Sequence, residues 1–306
     1  MSSTSDSNNN SLIAFSQNVA EIIETVGKSI VSIQGQRFSC SGIYWQEGII
    51  VTSAENIKRP KDVTITLPNG ETAPVKLLGS DRSRDVAVFE SNIKLPVAPV
   101  DGDYKPKVGQ TAIAVGRNSR GLIASQGIIS TVGDPWRSTL GGYIDRFISV
   151  DLNLYSGMAG SALVNPQGQV IGFNTTGPRR SVLTIPAATV GRVVTQLLEQ
   201  GHIRRGYLGI AMQPVDLPDS LVTEFSLQTQ QGLMIVNVEP QSPAAEAGMI
   251  LGDILTKIET TPVAKLRDLQ AFLEPQNIGK AIAVELIRGG KLKNISLTVG
   301  DSGNRQ

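Results

Sequence analysis

The chain has a single histidine, His202, in 306 residues. One imidazole excludes a metal site built on several histidines, and it leaves one candidate for imidazole acid–base chemistry. One cysteine, Cys40, excludes an internal disulfide and a cysteine-rich metal site. Aromatic residues make up only 5%. No apolar run reaches the roughly 18 residues that cross a bilayer, so no membrane insertion is expected. The 28 basic and 27 acidic residues leave a net charge of +1, which gives no electrostatic ground for nucleic-acid or membrane-surface binding. The pairs Arg179-Arg180 and Arg204-Arg205 read as solvated loops. Met1 to Asn10 is polar, with neither a basic start nor an apolar stretch, so it does not read as a secretory signal. The expected location, for a full-length chain, is the cytoplasm.

Glycine, in contrast, is abundant at 31 residues, and it accompanies many short Val/Ile/Thr runs. That combination favours β structure with tight turns. Residues 1–11 read as a disordered tail, and the apolar spacing from Leu12 to Val26 predicts a helix. Short strands follow, among them Ile30–Ile33, Gly48–Thr52, Val63–Leu67, Val86–Glu90, Thr111–Gly116, Ala162–Asn165 and Val170–Thr175. Pro68-Asn69-Gly70 marks a hairpin turn. Many short strands without intervening helices argue for a barrel or sandwich. Ala187 to Gln200 reads as a helix that stops at Gly201. A second, smaller unit begins near Gly206, with five strand-like runs and helical patches at Pro243–Ala247 and Lys265–Leu273. The expected division is a tail over 1–11, a first domain over 12–201, a second over 202–301 and a tail over 302–306.

Four segments carry a family resemblance. The first is Ser41-Gly42-Ile43 leading to Gly48-Ile49-Ile50-Val51-Thr52, and the second runs from Gly79 to Val88 around Asp85. The third is Ser156-Gly157-Met158-Ala159-Gly160-Ser161-Ala162-Leu163-Val164-Asn165, continuing to Thr175. The fourth is Arg205-Gly206-Tyr207-Leu208-Gly209-Ile210, followed by Ser242 to Gly248 and Gly252-Asp253-Ile254-Leu255. In this order the chain resembles the HtrA/DegP family. The resemblance implies a mainly β fold: a trypsin-like double β-barrel followed by a small α+β PDZ domain.

In that family three side chains form the catalytic triad. Here Glu55 takes the histidine position, Asp85 matches the aspartate, and Ala159 takes the serine position, with Gly157 and Met158 in the oxyanion loop. An imidazole accepts the serine proton in this chemistry, and alanine has no hydroxyl to activate. The substitutions lead to the expectation of a vestigial site: a pseudoprotease acting as a peptide-binding scaffold or adaptor, not an enzyme. Two alternatives stand beside it, a regulatory subunit of a larger assembly or of an active relative, and an unorthodox hydrolase. Ser161 lies two residues past the nucleophile position and reads as a packed strand-entry residue, and Cys40 as a small buried one. No cofactor and no metal are expected.

The resemblance also implies a peptide groove in the second domain. Tyr207, Leu208, Gly209 and Ile210 match the family's carboxylate-binding loop, in which backbone N–H groups of a tight turn form an anion nest. Leu266 and Leu269, on one face of the Lys265–Leu273 patch, are expected to wall the groove. The implied partners are proteins or C-terminal peptides. The Leu12–Val26 helix, with Phe15, implies a homotrimer or hetero-assembly.

Overall fold

A computed structural model describes residues 3–35, 38–55, 57 and 63–302. It divides into two compact units, Met1–Ile203 and Arg204–Gln306. The first unit opens with a helix over Ser3–Gly27, so helix begins where the sequence suggested a disordered tail. The polar Ser/Asn stretch continues the backbone ladder of the amphipathic segment behind it. Of the expected tail from 302, residues 303 onward lie outside the described part.

Period-two alternation builds the first half of this unit. In Ile49-Ile50-Val51, the outer two side chains face one core and Ile50 faces another. Val86 and Val88 divide from Ala87 and Phe89 in the same way. Such strands bury apolar side chains on both faces. The result is a seven-stranded antiparallel sheet. Its order is Thr72–Pro74, Thr64–Thr66, Ile30–Gly35, Phe38–Gln46, Ile49–Thr52, Val86–Glu90 and Lys76–Asp81.

The second half is a closed six-stranded barrel of Thr111–Asn118, Gly121–Gly133, Phe147–Asp151, Val182–Pro186, Val170–Thr176 and Ala162–Val164. One continuous core joins the halves, including Ile43, Val86, Val115 and Phe173. The helix Ala187–Gln200 adds Val190, Val193, Val194 and Leu197 to that core. It ends where Gly201 adopts φ 74°, a left-handed cap that glycine accepts without strain.

The second unit holds a six-stranded antiparallel sheet with five strands in the order Ile210–Asp216, Gln231–Val238, Ile254–Ile258, Ala281–Arg288 and Lys291–Thr298, and a sixth, Thr261–Pro262, pairing with Ile254–Ile258 off that path. Its own core holds Leu233, Ile235, Leu255, Val284 and Leu297. The helix Pro243–Glu246 starts at Ser242, whose hydroxyl accepts from the Ala245 N–H at 3.2 Å. The patch expected to be helical over Lys265–Leu273 is instead a 3-10 turn, Leu266–Leu269, followed by turns.

Candidate functional site

Strand register brings the first site together. Thr52 pairs with Ala87 across two antiparallel strands. Residues just past the end of one strand therefore lie beside the residue just before the other. The Asp85 carboxylate accepts from the Ser53 hydroxyl at 2.8 and 2.9 Å and from the Glu55 N–H at 2.8 Å. Asp85 itself sits at φ 57°, a left-handed conformation that aspartate tolerates better than most residues. Burial raises its carboxyl above the usual range, with the Thr175 and Ser53 hydroxyls and the Glu55 N–H pulling it back and the Glu55 charge raising it further. Thr175 Oγ1 is buried beside the carboxylate. The Glu55 side chain is exposed.

The loop before Ala162 carries the second part. Gly157 and Gly160 have φ of 89° and 79°, and a Cβ on Gly160 would collide with Thr52 Oγ1 and the Ser41 carbonyl. Close packing of this loop on the strands below therefore requires glycine there. The Ala159 carbonyl accepts from the Ser41 N–H at 2.9 Å, and the Gly157 carbonyl from the Ser41 hydroxyl at 2.7 Å. Ala159 is half-buried, and its methyl packs toward the core that contains Cys40 and Ala54. Met158 is fully buried and so does not line the cleft. Ser161 is also fully buried, and its hydroxyl accepts from Asn174 Nδ2 at 3.2 Å, as expected of a packed residue. Burial pushes the Cys40 thiol up to about 11, with a hydrogen bond from Thr52 opposing and the Asp85 charge assisting. His202 follows the end of the helix Ala187–Gln200, its Nδ1 at 3.0 Å from the Gln200 carbonyl.

A cavity of about 830 Å³ opens beside Asp85, a size in the range of small-molecule and side-chain pockets. The hairpin Trp136–Arg137/Tyr143–Ile144 forms one wall. The Ser138 hydroxyl donates to the Ser83 carbonyl at 2.6 Å, and Arg84 Nε donates to the Tyr143 carbonyl at 3.1 Å, which ties this hairpin to the loop that carries Asp85. Sequence reasoning found Asp85 but did not single out Thr175 as a site residue. No local chemistry marks Thr175, and only the closing of the barrel brings it to Asp85.

In the second unit, Tyr207 pairs with Gly300 and donates its hydroxyl to Glu239 at 2.5 Å. Gly209 has φ 79° and sits so close to Ser242 that no side chain fits. Ile210 begins the strand Ile210–Asp216 at the sheet edge, and the Leu266–Leu269 turn packs against that strand. Leu266 is 51% exposed, as a groove residue would be. Leu269 is 3% exposed and belongs to the core, which corrects its expected place in the groove wall. Among the described residues no group of three or more His, Cys, Asp or Glu side chains is placed to hold a metal ion.

Residues 40–173 match the trypsin-like peptidase domain family, and residues 206–299 match the PDZ domain family. The chain is an HtrA/DegP-like pairing of a trypsin-like peptidase domain with a PDZ domain. It is 30% identical over 262 residues to a probable periplasmic serine protease do/HhoA-like of Haemophilus influenzae, covering 82% of this chain and 55% of the relative. It is 29% identical over 265 residues to the periplasmic pH-dependent serine endoprotease DegQ of Escherichia coli, covering 84% and 57%. The chain thus spans about half the length of the curated relatives it matches. Among solved structures, the serine endoprotease from Yersinia pestis superposes with a TM-score of 0.70 at 26% identity, over 92% of this chain and 97% of that one. The HtrA-type protease AlgW with decapeptide shares the fold, with a TM-score of 0.70 at 22% identity over 94% and 99%.

These similarities correct three expectations for this HtrA/DegP-like chain. The relatives are named serine proteases and endoproteases, which overturns the reading of a non-enzymatic pseudoprotease scaffold. They favour neither the regulatory-subunit nor the unorthodox-hydrolase alternative. The names are also periplasmic, against the expected cytoplasmic location. The reason lies in what each signal measures. Side chains at positions 55 and 159 bear on the route of one reaction, whereas similarity over the whole frame bears on the class of protein. A PDZ domain is a peptide-binding module, and that expectation stands.

Proposed function

We propose that this chain handles polypeptides in the periplasm as an HtrA/DegP-like serine endoprotease. Its first unit receives an extended polypeptide in the cleft beside Asp85, and its PDZ unit holds a peptide end. The observation that supports this reading is similarity over 82% of the chain to proteins named serine proteases. In this assignment Glu55, Asp85 and Ala159 occupy the base, orienting and nucleophile positions, with Gly157 and Met158 in the oxyanion loop. Tyr207, Leu208, Gly209 and Ile210 receive the peptide carboxylate, and Leu266 borders the groove. An oligomer built on the first helix, where Leu12, Ile13 and Phe15 are exposed, belongs to the same reading.

The reading makes a demanding claim on the site, because Ala159 supplies a methyl where the serine route needs a hydroxyl. A digest decides it. The purified chain is incubated with fluorogenic casein beside the double variant Ala159→Ser/Glu55→His. Cleavage by the wild-type chain above a protein-free blank is the expected result. The double variant is expected to exceed it by about 10²-fold or more, since triad members act as a unit. No cleavage by wild type alongside clear cleavage by the double variant overturns the endoprotease reading and leaves peptide capture alone.

A further inference from the structure

We infer that Pro214 sets the reach of the peptide groove in the second unit: its missing N–H breaks the strand ladder, so residues of a bound polypeptide upstream of that break add nothing to affinity. This rests on the PDZ unit holding a peptide end, as proposed above.

The direction of each backbone group follows from two hydrogen bonds. Ile210–Asp216 is an edge strand whose one strand partner is Gln231–Val238. Just before it the Glu239 N–H donates to the Gly209 carbonyl at 2.8 Å, and just after it the Leu217 N–H donates to the Gln230 carbonyl at 2.8 Å. In antiparallel pairing, residues whose backbone groups face the partner strand alternate with residues whose groups face away. Gly209 and Leu217 both face the partner. The alternation runs unbroken between them, because the extra residue at the irregular step, Val236, lies on the partner strand. Ile210, Met212, Pro214 and Asp216 therefore turn their backbone groups to the open edge.

Ile210 and Met212 each present an N–H and a carbonyl on that edge. Pro214 presents a carbonyl alone, since its nitrogen carries no hydrogen. This placement is also why the strand tolerates a proline: no bond to Gln231–Val238 is lost.

In the peptide-end reading the Tyr207–Ile210 turn takes the carboxylate. The last residue of a bound chain then lies beside Ile210, and the chain runs antiparallel to the strand. Paired residues recur at every second position, so the third residue from the end meets Met212 and the fifth meets Pro214. The carbonyl of that fifth residue finds no donor. Apolar cover ends at the same place. Ile210 and Met212 pack partly buried against the core of the unit, and the Leu266–Leu269 turn lies against this strand. Pro214 is exposed and lies outside that core. The same missing donor opposes pairing with a long strand of another molecule, which leaves a chain end as the occupant that fits.

The test uses the full chain and two peptides with free carboxyl ends. One is a tetrapeptide ending in Val-Ala-Val, and the other is an octapeptide that extends it with serine and threonine. Calorimetry gives both affinities. For the wild-type chain the octapeptide is expected to bind within about threefold of the tetrapeptide, because it adds no complete rung. Pro214→Thr and Pro214→Ala each restore the donor. Both variants are expected to leave the tetrapeptide unchanged and to tighten the octapeptide about fivefold relative to the wild-type chain, the worth of one net hydrogen bond. A larger gain than about threefold on the wild-type chain overturns the break at Pro214. So does an unchanged octapeptide affinity in both variants when their tetrapeptide affinity and circular dichroism are native. Either result leaves the peptide-end reading standing. Failure of both peptides to bind the wild-type chain overturns that reading and this one together.

Discussion

Single positions explain how the loop before Ala162 packs on the strands beneath it. Gly160 is required because Thr52 and Ser41 leave no room for a Cβ, and its positive φ excludes most other residues in any case. Cys40 is the other telling position. Its thiol is pushed up to about 11 by burial, so at pH 8 the thiolate fraction is about a hundredfold below that of an ordinary cysteine near 9.0. Ellman's reagent is therefore expected to react with the folded chain about a hundredfold more slowly than with the chain in guanidinium; equal rates would contradict the burial. The linkage has a definite sign. The folded state keeps the proton where the unfolded state loses it, so this group's contribution is complete below about pH 9 and is lost as pH rises toward about 11. Asp85 titrates on the acid side, with burial raising its carboxyl, so its charge costs stability as pH rises through its elevated value. Residue identity at Glu55, Asp85 and Ala159 was legible in the sequence. The approach of Thr175 to Asp85 was not, because the two lie 90 positions apart in a chain of 306.

At the scale of elements, alternation and turn chemistry made most strands readable. The pairs that fix function depend on register, which no single strand contains. The hairpin beside Asp85 is an example. Its two strands have two residues each, Trp136–Arg137 and Tyr143–Ile144, too short for a periodic signal. It is held by contacts with distant elements. Asp145 pairs with Arg192 and accepts from the Thr189 hydroxyl at 2.6 Å, both on the helix Ala187–Gln200. Burial acts to raise the Asp145 carboxyl, but these two partners prevail and lower it. The Leu266–Leu269 turn was misread as a helix because three leucines at helical spacing also suit a 3-10 turn followed by loops. That turn borders the open edge of the strand Ile210–Asp216, where a peptide can add as a further strand. Leu266→Asp is expected to weaken a free C-terminal apolar peptide by about tenfold, near 1.4 kcal/mol, because half a leucine's surface loses its cover. Fluorescence anisotropy of a labelled heptapeptide checks it. Unchanged affinity with native circular dichroism would remove Leu266 from the groove.

For the whole molecule, the division at Ile203/Arg204 separates two cores with no residue in common. The second unit closes its own sheet, and Gly206–Tyr207 pairs with Gly300–Asp301 to join its two ends. A fragment of residues 204–306 is therefore expected to unfold in one cooperative thermal transition with native-like secondary structure. A broad, non-cooperative melt of that fragment by circular dichroism would show that its core is insufficient alone. The sequence alone determined the division into a β-rich first unit and a smaller mixed one, the strand and turn pattern, and the side chains available at the cleft. Those follow from local periodicity and from motif order, which a linear chain carries in full. Only the tertiary structure decided which distant side chains share the cavity with Asp85. It also decided that Met158 is fully buried and that Leu269 joins the core of the second unit. These outcomes depend on register and barrel closure, which are set by packing between residues far apart in the chain.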